Sequence, residues 1–283
     1  QKASEEIFES EELFLGDLVV LKDVFLGPLR AWVEQLKDEE SLAASLQRLA
    51  EPLEAVVTFS TTFLKEIRTA KLRGSWRSLF ERNERLLSAR LGAYAAQYDS
   101  VWPQLAAART KSIAVDAFLR CAELQPANAR KVSFAALAIT PIQRGPRYVL
   151  LLDELKKRAS KACFVYRCGD DDAALGTALE SAKRAAKAID GYVEAEELRK
   201  RDLRRVAALF APSATVQAWA GPFSKRRLLK EDSLMRTTKQ RPHADSLFLL
   251  FEETLAYGDS TDGASRSSVR KRRSIALPDA ANH

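Results

Sequence analysis

The stretch that decides the fold runs from Ile139 to Leu155 and reads ITPIQRGPRYVLLLDEL. It lies within 131–159, the longest segment of the chain with apolar residues at helical spacing, yet it contains Pro141 and Pro146. Proline has no N–H donor and clashes with the preceding turn, so the sequence predicts that this helix begins late or bends here. Thr140, directly before Pro141, is typical of a helix N-cap followed by a first-turn proline. By composition alone, the prolines and arginines fit a structural kink with surface arginines.

Amphipathic helices are predicted on both sides of this stretch. Apolar residues at three- and four-residue steps indicate a helix from Glu5 to Trp32, with the stripe Ile7, Phe14, Leu18, Leu21, Phe25 and Leu29. A second stripe comprises Leu42, Leu46, Leu49, Leu53, Val56, Phe59, Phe63 and Ile67, and a third Trp76, Leu79, Leu86, Ala93 and Tyr94. Gly74 marks the break between these two helices, and further helices are predicted over 105–124 and from Ala173 to Leu209.

The pattern changes in the last quarter of the chain. Ser246–Phe251 and Thr254–Gly258 are short runs of branched and aromatic residues that predict a strand hairpin, and Ser233–Thr237 is a possible preceding strand. Asp259–Ser268 is rich in Ser, Gly and Asp and is predicted to be a loop. The sequence therefore predicts a mainly helical body followed by a β-rich segment.

Charge and composition exclude several functional classes. The chain has 283 residues and a net charge of +7, and residues 221–283 carry 12 basic and 8 acidic side chains. Both histidines, His243 and His283, lie late in the chain, and no glycine-rich phosphate loop occurs, so covalent or general acid–base catalysis is not predicted. Three cysteines without ligand-pair spacing predict no metal site and fit a reducing compartment. No apolar run approaches the ~20 residues of a membrane span.

Glu11 interrupts the apolar stripe of the first predicted helix, where a hydrophobic residue is expected. A carboxylate in a buried seam is costly unless it is paired. Periodicity alone favours a curved stripe with a solvated Glu11. The functional alternative is an acceptor held on a rigid helix for the donors of a partner protein.

Two sequence strings resemble the same family. Ile139–Tyr148, followed by its leucine run, resembles the signature helix of the Dbl-homology domain of Rho-family guanine nucleotide exchange factors. Glu6–Leu18, EIFESEELFLGDL, resembles the first signature of that family, E-x-x-x-[ST]-E-x-x-[YF]-x-x-D-L, and residues 46–67 resemble a weaker second one. The resemblance covers about 5–205 and implies an elongated helical bundle with exchange activity toward a small GTPase.

The family usually carries a pleckstrin-homology domain after the helical domain. Arg227–Leu234 and Leu247–Phe251 resemble the opening strands of such a domain, and Trp219 stands where a linker tryptophan often occurs. The resemblance implies a Dbl-homology domain at 5–205, a linker at 206–222 and the N-terminal part of a pleckstrin-homology domain at 223–283. That length is short of a whole domain, so we expect that the sequence ends inside it or that the domain is degenerate.

The resemblance also implies functional roles for individual residues. The residues that it places against the GTPase are Glu11, Gln143, Arg147, Leu150 and Asp190. Glu11 matches the acidic residue that contacts switch I, and Gln143 and Arg147 match positions that face switch II. Asp190 stands where many members have Asn; an ionised Asp accepts but cannot donate hydrogen bonds, which affects the strength or choice of partner. Arg144 is expected to be an internal anchor.

Basic residues around the first predicted strand suggest a second ligand. Lys230, Arg236, Lys239 and Arg241 form a weak candidate phosphoinositide site, because basic clusters attract anionic lipid. A solvated basic face explains these residues equally well.

The implied partner is a Rho-family GTPase, preferred in its nucleotide-free form, and no cofactor is implied. The protein is then a regulator without covalent chemistry of its own. We expect a cytoplasmic protein, peripheral at membranes, in Rho signalling to the actin cytoskeleton. A non-catalytic helical scaffold that binds a GTPase or a membrane remains the alternative. Nucleic-acid binding is not predicted, because no basic and aromatic platform accompanies the modest charge.

Overall fold

The computed structural model describes residues 2–36, 40–166, 169–209, 228–236, 244–251, 254–260 and 269–276. The chain divides into two compact units, Gln1–Glu194 and Ala195–His283. The helices are α1 (Lys2–Val20), a π-helical turn (Leu21–Leu26), α2 (Gly27–Val33), α3 (Glu40–Arg73), α4 (Trp76–Lys111), α5 (Ile113–Glu123), α6 (Phe134–Ala138), α7 (Thr140–Tyr166) and α8 (Gly169–Leu209). The strands are β1 (Leu228–Arg236), β2 (Ala244–Phe251), β3 (Thr254–Ser260) and β4 (Val269–Ala276). Among the described helices, none is both long and apolar enough to cross a membrane.

The first predicted helix is a helical run of three pieces. Pro28 has no N–H to offer to the carbonyl of Val24, and the run adjusts by a π-helical turn in which the N–H of Gly27 donates to the carbonyl of Lys22. All six residues of its predicted apolar stripe are buried, so the predicted face is confirmed. Its hydrophobic spacing did not reveal the π turn, because the stripe continues across it.

α3 and α4 form a long antiparallel pair joined at Gly74, which confirms the predicted break. Gly74 has φ +69°, a left-handed conformation that glycine adopts without a Cβ penalty. The predicted apolar stripe of α3 is buried throughout. In α4, however, the predictions for Leu86 and Ala93 are wrong: both are exposed, and Leu87 and Leu91 are buried instead. A 3.6-residue repeat drifts by one position over several turns, which accounts for the shift.

The helix predicted over 105–124 is divided at Ser112. α4 continues through Pro103 to Lys111, and the Ser112 hydroxyl caps α5 by accepting a hydrogen bond from the N–H of Val115 at 3.3 Å. α7 begins at Thr140 and continues through Pro146 without a break. The Thr140 hydroxyl donates to the carbonyl of Leu137 at 2.8 Å, and the first helical carbonyl is that of Ile139, so Thr140 is not the N-cap that the sequence predicted.

The four strands form one antiparallel sheet in the order β1-β2-β3-β4. β2 pairs with β1 on one side and with β3 on the other, so that Leu249 lies opposite both Glu231 and Ala256. The predicted hairpin of Ser246–Phe251 with Thr254–Gly258 is therefore present in the backbone pairing. The predicted 206–222 linker lies mostly outside the described residues.

Two glycines of the helical unit lie close to α8 and differ in how they tolerate a side chain. A Cβ at Gly92 would lie 2.4 Å from the ring and 2.9 Å from the Cβ of Tyr192. A Cβ at Gly145 would lie 2.8 Å from Cδ1 of Ile189, which is the flexible end of that side chain. We expect Gly92→Ala to destabilise the protein by about 1–3 kcal/mol, and Gly145→Ala to cost less because Ile189 can change rotamer. Urea unfolding of the two variants, followed by circular dichroism, tests this order; equal losses would contradict it.

Tyr94 of α4 forms a hydrogen bond with α6, the short helix before α7. Its buried hydroxyl donates to the carbonyl of Ala138 at 2.8 Å. Burial, and then the neighbouring Tyr98, raise the pKa of Tyr94 far above its ordinary value of 10. The folded state therefore keeps this proton at a pH at which the unfolded chain has lost it.

This raised pKa predicts a loss of stability at high pH. The contribution of Tyr94 is fully present below pH 10 and declines above it, by about 1.4 kcal/mol per pH unit, because the unfolded state then binds fewer protons. Urea unfolding at pH 9, 10 and 11 measures how the free energy of unfolding changes with pH. Tyr94→Phe is expected to be less stable at pH 9 but to show a shallower decline; an unchanged slope would contradict the assignment.

Candidate functional site

A buried ion pair joins α1 to α7. Oε2 of Glu11 accepts hydrogen bonds from Nε of Arg144 at 3.1 Å, from Nη2 of Arg144, and from the Tyr148 hydroxyl at 2.7 Å. Nη1 of Arg144 donates to Oγ of Ser10 at 2.8 Å. We call Ser10, Glu11, Arg144 and Tyr148 the anchor cluster. It connects two segments that are 133 residues apart in the chain.

Aromatic rings complete the surroundings of the guanidinium. Arg144 lies 4.8 Å from the ring centroid of Phe14 and 4.4 Å from that of Tyr148. The centroid of the Tyr148 ring lies 5.7 Å from that of Phe63 on α3 and 5.8 Å from that of Phe80 on α4. Burial, and then the negative charge of Glu11, raise the pKa of Tyr148 well above its usual range, so that its hydroxyl remains a donor. The anchor cluster thus fixes α7 against three other helices.

The burial of Glu11 corrects both predictions for this residue. Its side chain is 0% exposed, so it is neither solvated nor open to the donors of a partner protein. The second carboxylate oxygen, Oε1, is buried as well and accepts no hydrogen bond within the described part of the chain. The cost of burying this charge is offset by Arg144, a partner that periodicity cannot reveal. Glu11 therefore acts by positioning α7, and Arg144 lies inside as its counter-ion.

The outer face of α7 carries the other predicted residues. Gln143, Arg147 and Leu150 are exposed at positions i, i+4 and i+7, which form one face of a helix. Leu150 is 61% exposed. Arg147 lies 4.0 Å from Oε1 of Glu6 on α1, a loose contact that leaves its guanidinium open to solvent. The structure brings these three side chains together on a rigid support.

Asp190 lies on α8 at the level of this face. The preceding residue, Ile189, is buried against Gly145, which lies between Gln143 and Arg147 on α7. The side chain of Asp190 is exposed. Its carboxylate is thus available to a basic group of a partner. No group of three or more His, Cys, Asp or Glu residues within the described ranges is arranged to hold a metal ion.

Sequence reasoning missed exposed apolar residues on α1. Leu13 is 50% exposed and Val19 is 39% exposed, with Gly16 between them on the outer side of the helix. Leu13 is offset from the buried stripe, so its exposure could have been predicted from the sequence, but a single exposed apolar residue does not by itself mark a contact surface. We call Gln143, Arg147, Leu150 and Asp190 the exposed face.

A model of the RhoGEF domain matches residues 3–190, about two thirds of the chain and all members of the exposed face. The chain belongs to the RhoGEF family. Its function is that of this family, guanine nucleotide exchange on Rho-family GTPases. A comparison with curated proteins found no match.

Solved structures of RhoGEF proteins share this fold at low sequence identity. The linker-DH/PH domains of p115-RhoGEF are 19% identical, with a TM-score of 0.61, and the match covers 93% of this chain and 77% of that one. The DH/PH domain of human ARHGEF11, in a complex with human RhoA and its inhibitor, is 18% identical, with a TM-score of 0.59 and coverage of 92% and 74%. The DH domain of FARP2 is 23% identical, with a TM-score of 0.51 and coverage of 72% and 94%. These likenesses confirm the predicted Dbl-homology helical fold.

The candidate phosphoinositide residues fall in the second unit. Lys230 and Arg236 lie in β1, and Lys239 and Arg241 lie outside the described residues.

Proposed function

We propose that the exposed face binds a Rho-family GTPase and prefers its nucleotide-free form. The single observation that carries this proposal is the contrast along α7: Gln143, Arg147 and Leu150 are exposed, whereas Arg144 and Tyr148 between them are buried. A helix held this firmly presents its outer side chains at fixed positions. Such preorganisation favours binding because little conformational freedom is lost.

Exchange follows from binding by linkage. A protein that binds the nucleotide-free GTPase more tightly than the loaded one must weaken nucleotide binding by the same factor. No covalent bond is made or broken, so none of the residues of the exposed face needs to be a nucleophile or a general base. GDP then leaves, and the nucleotide present at higher concentration enters.

The side chains of the exposed face suit contacts with the two switch segments of a GTPase. Arg147 and Gln143 supply hydrogen-bond donors, and Leu150 supplies apolar contact area. A displaced switch I removes ligands from Mg²⁺, which requires near-octahedral coordination, and a displaced switch II crowds the phosphate site. Asp190 accepts hydrogen bonds only, so we expect it to contact a basic group.

Release of fluorescent GDP from purified Rho-family GTPases tests the proposal. The protein is added to a panel of loaded GTPases in excess unlabelled GTP, and the decay of fluorescence is recorded. We expect faster release from one or a few members, and tighter binding of that member after its nucleotide and metal are stripped with EDTA. If a folded, helical protein accelerates no member, the scaffold alternative holds, and Asp190→Asn then tests whether the missing amide donor is the cause.

We further propose that the sheet of the second unit is the first part of a pleckstrin-homology domain that attaches a cytoplasmic protein to anionic membranes. Support comes from the meander of four antiparallel strands directly after the helical domain and from Lys230 and Arg236 in β1. Cosedimentation with vesicles containing phosphatidylinositol 4,5-bisphosphate tests it. Binding that is unchanged in a Lys230→Ala/Arg236→Ala variant would contradict the assignment of these residues.

A further inference from the structure

The basic charge of the helical unit is concentrated where α3 ends and α4 begins. Residues 65–85 contain seven Lys or Arg and three Asp or Glu, a net charge of +4 in a chain whose total is +7. This segment is on none of the helices that carry the exposed face. Its charge therefore lies outside the surface that we propose binds the GTPase.

A cleft of about 390 Å³ lies between the two helices in this segment. Lys65, Arg73 and Arg82 contribute basic groups to its walls, and Ser75 and Ser78 contribute hydroxyls. The left-handed turn at Gly74 allows Arg73 and Ser75 to approach the same cleft from two helices. The cleft is open to solvent, and its walls also contain the carboxylate of Glu66 and the apolar side chains of Ala70 and Leu79.

Only part of this positive charge is neutralised within the protein. Glu66 accepts hydrogen bonds from Nη2 of Arg82 at 3.0 Å and from Nδ2 of Asn83 at 2.8 Å. Lys65 and Arg73 have no carboxylate within 4.0 Å among the described residues. The hydroxyls of Ser75 and Ser78, which also line the cleft, make no hydrogen bond with any residue that the structure describes. Two cations and two hydroxyls thus remain available to an anion.

We propose that this cleft binds a phosphorylated polyol of the inositol phosphate class, with Lys65 and Arg73 as the main ligands. Guanidinium and ammonium groups form charge-assisted hydrogen bonds with phosphate, and serine hydroxyls add donors. The volume lies in the range of small-molecule sites and exceeds the needs of a single phosphate. Among the described residues, no aromatic side chain lines the cleft, so a nucleotide base would find no stacking partner there.

Calorimetric titration with inositol hexakisphosphate at physiological salt tests the proposal on the full chain. We expect saturable binding. Its dissociation constant should rise about tenfold or more in Lys65→Ala/Arg73→Ala, because hydrogen bonds between charged groups contribute substantially to the binding free energy. The matched control is Arg90→Ala/Lys111→Ala, which removes the same charge from exposed positions of α4 outside the cleft. This control should bind as the unaltered protein does. Lys230→Ala/Arg236→Ala removes the residues proposed above for a separate lipid site on the sheet, and it therefore shows which part of the binding belongs to the sheet.

Vesicle experiments identify the source of the ligand. Cosedimentation with phosphatidylinositol 4,5-bisphosphate, compared with phosphatidylserine at equal charge, shows whether the headgroup of a lipid reaches the cleft in a manner that depends on Lys65 and Arg73. Binding of the soluble compound alone indicates a soluble ligand. The proposal is overturned if neither probe binds saturably, if the Arg90/Lys111 control loses as much affinity, or if only the sheet variant loses it. Because the readout is binding, these outcomes do not depend on exchange activity.

Discussion

Replacing Glu11 with alanine is expected to lower the free energy of unfolding by about 3–5 kcal/mol. The substitution leaves the guanidinium of Arg144 buried without its counter-ion, and the Tyr148 hydroxyl loses its acceptor at 2.7 Å. Exchange activity should fall as well, because α7 is then no longer fixed to α1. Urea unfolding monitored by circular dichroism measures the first effect, and GDP release measures the second.

A double substitution separates the charge from the packing. In Glu11→Met/Arg144→Met no charge remains buried, and we expect this variant to be more stable than Glu11→Ala despite carrying two changes. The matched surface control is Arg158→Ala, which breaks the exposed pair with Glu154 on the same helix and should change stability very little. Stability of Glu11→Ala equal to that of Arg158→Ala would show that Glu11 is not buried as described.

Arg147→Ala and Leu150→Ala are each expected to reduce exchange by about 30-fold, the effect of losing roughly 2 kcal/mol at an interface hot spot. Arg147 is open to solvent apart from its loose contact with Glu6, and Leu150 is mostly exposed, so neither change should disturb folding. The initial rate of GDP release from the responsive GTPase, at several protein concentrations, gives the loss of transition-state stabilisation.

Two exposed residues of α4 serve as controls for these variants. Arg90→Ala removes an exposed arginine, and Leu86→Ala removes a leucine that is 44% exposed, both away from the exposed face. Both variants should accelerate GDP release from the GTPase as much as the unaltered protein does. If Arg147→Ala and Leu150→Ala also did so while all variants melted normally, the exposed face would not be the GTPase-binding surface.

Glu11→Ala cannot by itself identify a contact with the GTPase. Because the resemblance places Glu11 against switch I, the sequence alone predicts that Glu11→Ala loses exchange without loss of stability. In the folded protein that substitution removes a structural ion pair, so reduced activity would not identify a contact. Arg147 and Leu150 are the positions at which activity and stability can be separated.

The order of the helices and much of the core could be predicted from sequence. The apolar stripes of α1 and α3 are buried where a 3.6-residue repeat places them, because burial of one face is a local, periodic requirement. Gly74 identified the α3–α4 turn because few other residues accept φ +69°. Ser112 and the exact register of α4 were missed, since a cap and a one-residue drift leave weak signals within continuous helical propensity.

The sequence by itself determined the family, because the string from Ile139 to Tyr148 and the one from Glu6 to Leu18 carry local, recognisable spacing. The resemblance also named Gln143, Arg147, Leu150 and Asp190, but only the structure shows that these side chains are exposed. Only the tertiary structure decided what Glu11 does. A carboxylate in an apolar stripe is compatible with solvation, with partner binding and with a buried ion pair. The choice depends on whether a counter-charge arrives from elsewhere in the fold, and Arg144 does so from 133 residues away.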